Sequence, residues 1–274
     1  MKNITNKLVG LLYKHALQPN KGKLSYQSIF ERLYRIGLEG MNYNSSKIGD
    51  NGETYCIDYL ARALRGKQNI TIFDVGANKG DYTAALLDRF DRSDLKIYSF
   101  EPSEPTFQQF KENITDQRVS AFNLGMGAKT ETLKLYKTEK SSGLSSLYQR
   151  NLEHFDITMD VTEEIKITTL DEFCEAQQVS EISFLKMDVE GHESKVLEGA
   201  SDMLSRDSVK YIQFEFGGCN IDSRTYFQDF YYVLKDKYQF YRIVHDGLYP
   251  IREYREDYEI FKTINFLAKH KSMP

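Results

Sequence analysis

Two groups of residues have the types and the spacing that chemistry requires. The first lies in Thr71-Ile-Phe-Asp-Val-Gly-Ala-Asn-Lys-Gly-Asp-Tyr-Thr83, where Asp74 is followed by Gly76, Asn78 and Gly80. Glycines placed after an apolar, β-prone run let the backbone turn, and let its N–H groups approach a ligand where a helix begins. Glu101 stands about twenty residues further on, the spacing at which a carboxylate at a second strand tip grips ribose hydroxyls. The dinucleotide fingerprint G-x-G-x-x-G is absent, and Asp74 would repel a pyrophosphate. It suits a ligand carrying an ammonium or a sulfonium. That favours S-adenosylmethionine over NAD, with an NAD(P)-dependent oxidoreductase as the rival on a related sheet.

The second group is Lys186-Met-Asp-Val-Glu-Gly-His-Glu193. Side chains alternate along a strand, so 186, 188 and 190 share one side if the strand continues. His192 follows at the turn, so Asp188, Glu190 and His192 could surround one point. Glu215, ending a neighbouring strand, could reach the same space. Two chemistries use such a group. One is removal of a proton from an acceptor hydroxyl by a histidine or carboxylate base. The other is a hard divalent cation such as magnesium, held by Asp188, Glu190 and Glu215. The bland alternative is that Glu190 and His192 cap the next helix while Asp188 takes backbone hydrogen bonds.

The elements that must position these residues can be read from periodicity. Apolar strands are expected at 70–75, 95–100, 119–124, 182–189, 209–216, 240–245 and 261–268, with helices at 81–91, 103–115, 193–204 and 224–235. Such alternation argues for a parallel sheet with helices on both faces. Ligands then sit beyond the carboxyl ends of the strands, where Asp74, Glu101 and Asn123 converge. The order breaks at about 130–169, where period-two runs flank Ser141-Ser-Gly-Leu-Ser-Ser146 and a polar stretch. So long a connection is usually functional, and it reads as a β-hairpin-like insertion with a loop near the site. Residues 1–69 read as a helical appendage and 70–274 as the main domain. The polar loop 41–52 is read either as packing or as a lid.

Composition narrows the class. Hydrophobic residues make up 41% of the 274-residue chain, enough for a substantial core, and charged residues 28%. The formal net charge of −4 gives no nucleic-acid footprint. Cys56, Cys174 and Cys219 are scattered, so reduced thiols and a cytoplasmic location are expected, not disulfides or zinc. Leu8-Val-Gly-Leu-Leu-Tyr13 is too short to span a membrane, and it reads as part of an amphipathic helix packing on the main domain rather than a secretory signal.

Five motifs in order carry a resemblance: Phe73-Asp-Val-Gly-Ala-Asn-Lys-Gly80, Ser99-Phe-Glu-Pro102, Thr169-Leu-Asp171, Leu185-Lys-Met-Asp-Val-Glu-Gly-His-Glu193 and Phe214-Glu-Phe216. Together they resemble FkbM-type methyltransferases over about residues 50–268, and Ile264-Asn-Phe-Leu-Ala268 looks like that family's ending. The resemblance implies a Rossmann-like class I methyltransferase sheet, mostly parallel with its last strand antiparallel. It also implies S-adenosylmethionine as donor and O-methylation of a sugar or other small-molecule hydroxyl. Asp74, Gly76, Asn78 and Gly80 would then hold the methionine end of the donor and Glu101 its ribose. The turn Asn123-Leu124-Gly125 would lie along the adenine. Asp188 would stand beside the transferring methyl, with Glu190 and His192 as helpers. A module that binds the donor without catalysing transfer is the non-enzymatic alternative.

Overall fold

The first forty residues contain no β-prone run, and they are helical. α1 (Lys2–Leu12) passes into a π-helical turn, Tyr13–Leu17, and α2 (Gln27–Gly40) follows after two short 3-10 turns. The computed structural model describes residues 2–43, 49–138 and 142–274. The chain divides into two compact units, 1–44 and 45–274. The boundary thus falls earlier than residue 69, for a physical reason. α3 (Glu53–Ala63) buries Cys56, Ile57 and Leu60 in one core with Ile70, Ile72 and Phe184. Residues 44–48 of the segment weighed as a lid lie outside the described residues, as do 139–141 of the insertion loop.

The second unit is built on a sheet that starts with β1 (Ile70–Val75), buried at five of its six positions. It continues through α4 (Asp81–Arg89), β2 (Leu95–Phe100), α5 (Glu104–Asn113) and β3 (Val119–Phe122). Next come the two-residue β4 (Gly125–Met126), β5 (Glu131–Lys137), β6 (Val161–Thr168) and α6 (Leu170–Ala176). β5 and β6 pair antiparallel, and β4 adds to β6 as a third, parallel strand. The insertion is therefore a small sheet of its own. The chain then returns through β7 (Ile182–Met187), α7 (Glu193–Glu198), α8 (Ser201–Ser205) and β8 (Val209–Phe216). It closes with α9 (Cys219–Ser223), α10 (Phe227–Leu234), β9 (Tyr238–Val244), β10 (Gly247–Ile251) and β11 (Ile264–His270).

The strand order is β10-β9-β11-β8-β7-β1-β2-β3. β3, β2, β1, β7 and β8 run parallel, while β11 is antiparallel to both β8 and β9. The chain thus forms a mostly parallel, Rossmann-like sheet whose last strand is antiparallel. β10, antiparallel to β9, is an edge strand not expected from the sequence. Both faces are covered. On one, Tyr82, Leu86 and Phe90 of the α4 region join the α3 cluster. On the other, Phe173 of α6 sits edge-on to Phe73, Phe100 and Phe122, with ring centroids 5.7, 4.7 and 4.9 Å apart. Phe227 and Phe230 of α10 and Phe240 of β9 are core residues too.

The helix expected over 193–204 is two helices. A Cβ on Gly199 would lie 2.0 Å from the Gly127 carbonyl oxygen, so the chain must bend there to let the insertion approach.

Candidate active site

β1 ends at Val75, and the turn after it is held by the Gly76 and Ala77 N–H groups, both donating to the Phe100 carbonyl. Gly76 has φ +83°, and a Cβ on it would stand 1.9 Å from the Asp188 carbonyl oxygen. Only glycine fits this approach of two strand tips. The following Asn78 also has positive φ, +48°. Its N–H donates to Glu101 Oε2 at 3.0 Å, while the Ser103 N–H donates to Oε1 at 2.9 Å. Glu101 is thus fixed across the β1–β2 junction by two backbone donors.

These tips open onto a cavity of about 280 Å³. Gly76, Asn78, Glu101 and Gly125 line one part of it, and Asp188, Glu190 and Glu215 another. Leu135, Ile165 and Ile167 of the insertion sheet supply an apolar wall. A larger hollow, about 870 Å³, lies at the opposite end of the sheet beside Arg92, Asp94, Asp116 and Arg118. Its charges are paired with each other, and its guanidinium groups donate to the Lys67 and Phe90 carbonyls. Ligands of such sheets bind beyond the carboxyl ends of strands, so the smaller cavity is the candidate site.

Seven of the expected residues line it: Gly76, Asn78, Glu101, Gly125, Asp188, Glu190 and Glu215. Five others do not. Asp74 is wholly buried, with Oδ2 accepting from Thr83 Oγ1 at 2.7 Å and Oδ1 lying 3.4 Å from Lys186 Nζ. It is held inside the protein and does not face the cavity. Gly80 precedes α4 and packs under Ile114 and Phe110. Asn123 donates to the Glu101 and Pro102 carbonyls, holding the β2 end in place, and Leu124 is likewise absent from the lining. His192 is turned away because β7 ends at Met187 and the left-handed Glu190 (φ +51°) and Gly191 (φ +101°) redirect the chain before it. Its Nδ1 shares a 3.2 Å hydrogen bond with the Tyr148 hydroxyl, and a Cβ on Gly127 would stand 3.0 Å from Nε2. Burial pushes His192 down to about 4. The imidazole is neutral and lies outside the cavity lining.

The expected capping by Glu190 and His192 is not seen either. His192 stands at the N-cap position without a side-chain cap, and the fully buried Glu193 ties the turn before the helix, accepting from the Val189 N–H at 2.9 Å and the Gly191 N–H at 3.2 Å. Burial raises it to about 7, against those two donors.

Lys186 is the cation of the site. β1 and β7 pair with Asp74 opposite Lys186, and Nζ lies 3.4 Å from both Asp74 and Asp188. Burial alone would lower its pKa, but Asp188, Asp74 and Glu53 more than offset this, and it is raised. The lysine is therefore a fixed positive charge. Removing one partner of a buried pair strands the other charge, at a loss of roughly 3–5 kcal/mol. Lys186→Met is expected to lower stability by about that amount in urea denaturation, with Asp74 left buried and uncompensated. A variant as stable as the parent would show that the pair is not needed.

Three residues of the insertion, missed from sequence, grip the same turn. Ser146 Oγ donates to the Glu190 carbonyl at 2.7 Å, Tyr148 meets His192, and Arg150 Nη1 donates to Glu190 Oε2 at 2.6 Å. Their i, i+2, i+4 spacing is the only local signal, and it lies in a polar stretch without apolar alternation. Glu190 is raised by burial and by Asp188, with Arg150 opposing. Glu215 is raised well above the ordinary carboxylate range by burial and then by Asp188.

The groups present fit S-adenosylmethionine in two ways. Gly76 and Asn78 line the cavity at the β1 turn. Glu101, fixed by two backbone donors, faces the same cavity as a carboxyl group for ribose hydroxyls. The groups do not fit magnesium as expected. The atoms within 4.8 Å of one another belong to Glu190, Glu215 and Cys219, not Asp188. A thiol and a guanidinium-bound carboxylate are not the all-oxygen set a hard cation takes.

Burial raises Glu101 to about 7, with its two backbone donors opposing. The ionised form is the one that accepts from ribose hydroxyls, so donor affinity should be full above that pH and fall as pH drops through it. One unit below, binding is expected to be about tenfold weaker by titration calorimetry. Glu101→Gln should bind weakly at every pH, without that slope.

The methyltransferase FkbM domain matches residues 74–241. "Methyltransferase 1" of Beauveria bassiana is 30% identical over 147 residues, covering 48% of this chain and 58% of that protein. The hexuronic acid methyltransferase AglP of Haloferax volcanii is 24% identical over 166 residues, covering 56% of this chain and 64% of that protein. The chain thus spans about three fifths of the length of each of these curated relatives. Among solved structures, an FkbM methyltransferase from Methylobacillus flagellatus is similar, with TM-score 0.45 and 18% identity over 73% of this chain and 43% of that one. Among the described residues, no helix is long and apolar enough to cross a membrane.

Proposed function

Because the chain belongs to the methyltransferase FkbM family, we propose that it methylates a hydroxyl oxygen of a sugar or other small polyhydroxylated acceptor, with S-adenosylmethionine as donor. The observation that carries this reading is the cavity at the strand tips, with Glu101 on its two backbone donors at one side and Asp188 beside Lys186 at the other. The name of the Haloferax relative, a hexuronic acid methyltransferase, lends support to a sugar acceptor.

In this reading Gly76 and Asn78 bound the donor, Glu101 holds its ribose hydroxyls, and Gly125 lies beside the base. S-adenosylmethionine supplies, when bound, a methyl group already activated on a sulfonium. The protein then has to align an oxygen and receive its proton. Alignment can be worth roughly 7–11 kcal/mol at the upper end. Asp188 receives the proton: its side chain is 35% exposed and lies 3.4 Å from Lys186 Nζ. Glu190 and Glu215 orient the acceptor around it. The apolar wall from the insertion excludes water from the reacting face.

The test is calorimetric titration with S-adenosylmethionine, S-adenosylhomocysteine and NAD, followed by a mass-spectrometric screen of sugars for a methyl-group gain. Binding of the two sulfur nucleotides without NAD, and a methylated sugar, are expected. Binding of NAD alone would overturn the donor. Donor binding with no methyl transfer to any acceptor would reduce the protein to a binding module.

A further inference from the structure

The first thirty residues carry Lys2, Lys7, Lys14, Lys21 and Lys23 and no acid before Glu31, in a chain whose net charge is −4. Among the described residues, none of Lys7, Lys14, Lys21 and Lys23 is in an ion pair. On α1, Leu8, Leu11 and Leu12 recur at helical spacing and are 62, 50 and 55% exposed. Tyr13 continues the exposed apolar surface, and Leu24, between the helices, is 90% exposed. On α2, Ile29, Leu33 and Ile36 are exposed as well.

Isolated exposed leucines mean little, but a stripe of them beside lysines is a defined physical object. A basic amphipathic helix with its apolar face open lies in the plane of a bilayer interface. Its leucines enter the headgroup boundary and its lysines meet anionic headgroups. It is too short to span. A second copy of the segment is the other natural cover for the face. Charge argues against it, since two such segments bring ten lysines together with no acid to offset them.

We infer that residues 1–30 form a membrane-surface element, which docks the protein on bilayers containing anionic lipid through Leu8, Leu11 and Leu12 and the flanking lysines. The contact is peripheral and reversible. Each lysine near the surface contributes about fivefold in affinity at moderate salt, and the effect decays within a Debye length.

The experiment is co-sedimentation of the full chain with phosphatidylcholine vesicles, with and without phosphatidylserine. Binding is expected only with phosphatidylserine, and it should weaken strongly between ~0.1 M and ~1 M salt, as the Debye length falls from about 10 to about 3 Å. Lys7→Gln with Lys14→Gln should weaken it about thirtyfold. Leu8→Gln, Leu11→Gln and Leu12→Gln together should abolish it. All these side chains are exposed, so an unchanged thermal melt separates loss of docking from loss of fold. No binding to either vesicle, equal binding to both, or binding that survives the leucine substitutions would each overturn the inference. So would a solution dimer that the same leucine substitutions dissolve, seen by sedimentation velocity without vesicle binding; that result would assign the face to a second copy.

Discussion

Gly76→Val should leave no measurable binding of S-adenosylmethionine. The position has φ +83°, where a β-branched residue is strained, and a Cβ there would stand 1.9 Å from the Asp188 carbonyl oxygen. That atom is backbone, so it cannot rotate away. Either the β1 and β7 tips part, which moves Asp188, or the turn reverses and removes Asn78 from Glu101. Both outcomes dismantle the donor half of the cavity. The expected result is a loss of affinity of at least about a hundredfold, the equivalent of ~2.7 kcal/mol. Calorimetry would read the binding and a thermal melt the fold. Gly76→Ala should behave nearly as badly, because the clash begins at Cβ. A valine variant that binds the donor normally would show that the β1–β7 approach is not part of the site.

Asp188→Asn is expected to separate binding from chemistry. The amide keeps the shape of the side chain but cannot take a proton. Turnover should fall by about 10²–10⁴, the usual contribution of a positioned base, while donor affinity changes little. The change leaves Lys186 its buried partner Asp74 at 3.4 Å and the Gly76 carbonyl to which it donates. The fold should therefore survive, in contrast to Lys186→Met. Steady-state rates with saturating donor, beside calorimetric affinity, make the distinction. Equal losses in both would place Asp188 in the donor site; full activity would remove it from the chemistry.

Local sequence carried much of this arrangement. The glycine turn, the strand tips and the positions of Glu101 and Asp188 could be read because each depends on a few neighbouring residues. What depended on pairing could not. Asp74 looked free to meet a ligand, but the β1–β7 register sets Lys186 against it from over a hundred residues away. His192 looked like a base because a period of two was extended past Met187. The strand ends there, and the left-handed Glu190 and Gly191 send the imidazole behind the wall. Arg150 was invisible for a different reason: its partner Glu190 is brought to it by an insertion whose loop has no periodicity. β10 was missed as five residues carrying Pro250, a composition tolerated only at a sheet edge.

The place of β11 has a consequence for how the molecule can be made. This strand is the last in sequence, yet in the sheet it lies between β8 and β9. Gln213 donates to Asn265 at 3.2 Å, and Asn265 stands opposite Glu215 in the register. During synthesis the donor half, from residue 70 to Met126, is out of the ribosome long before 264–270 exists. Glu215 therefore waits on a bare strand edge until the final strand threads into its slot. The part of the cavity wall that carries Glu215 is thus completed only when β11 pairs with β8.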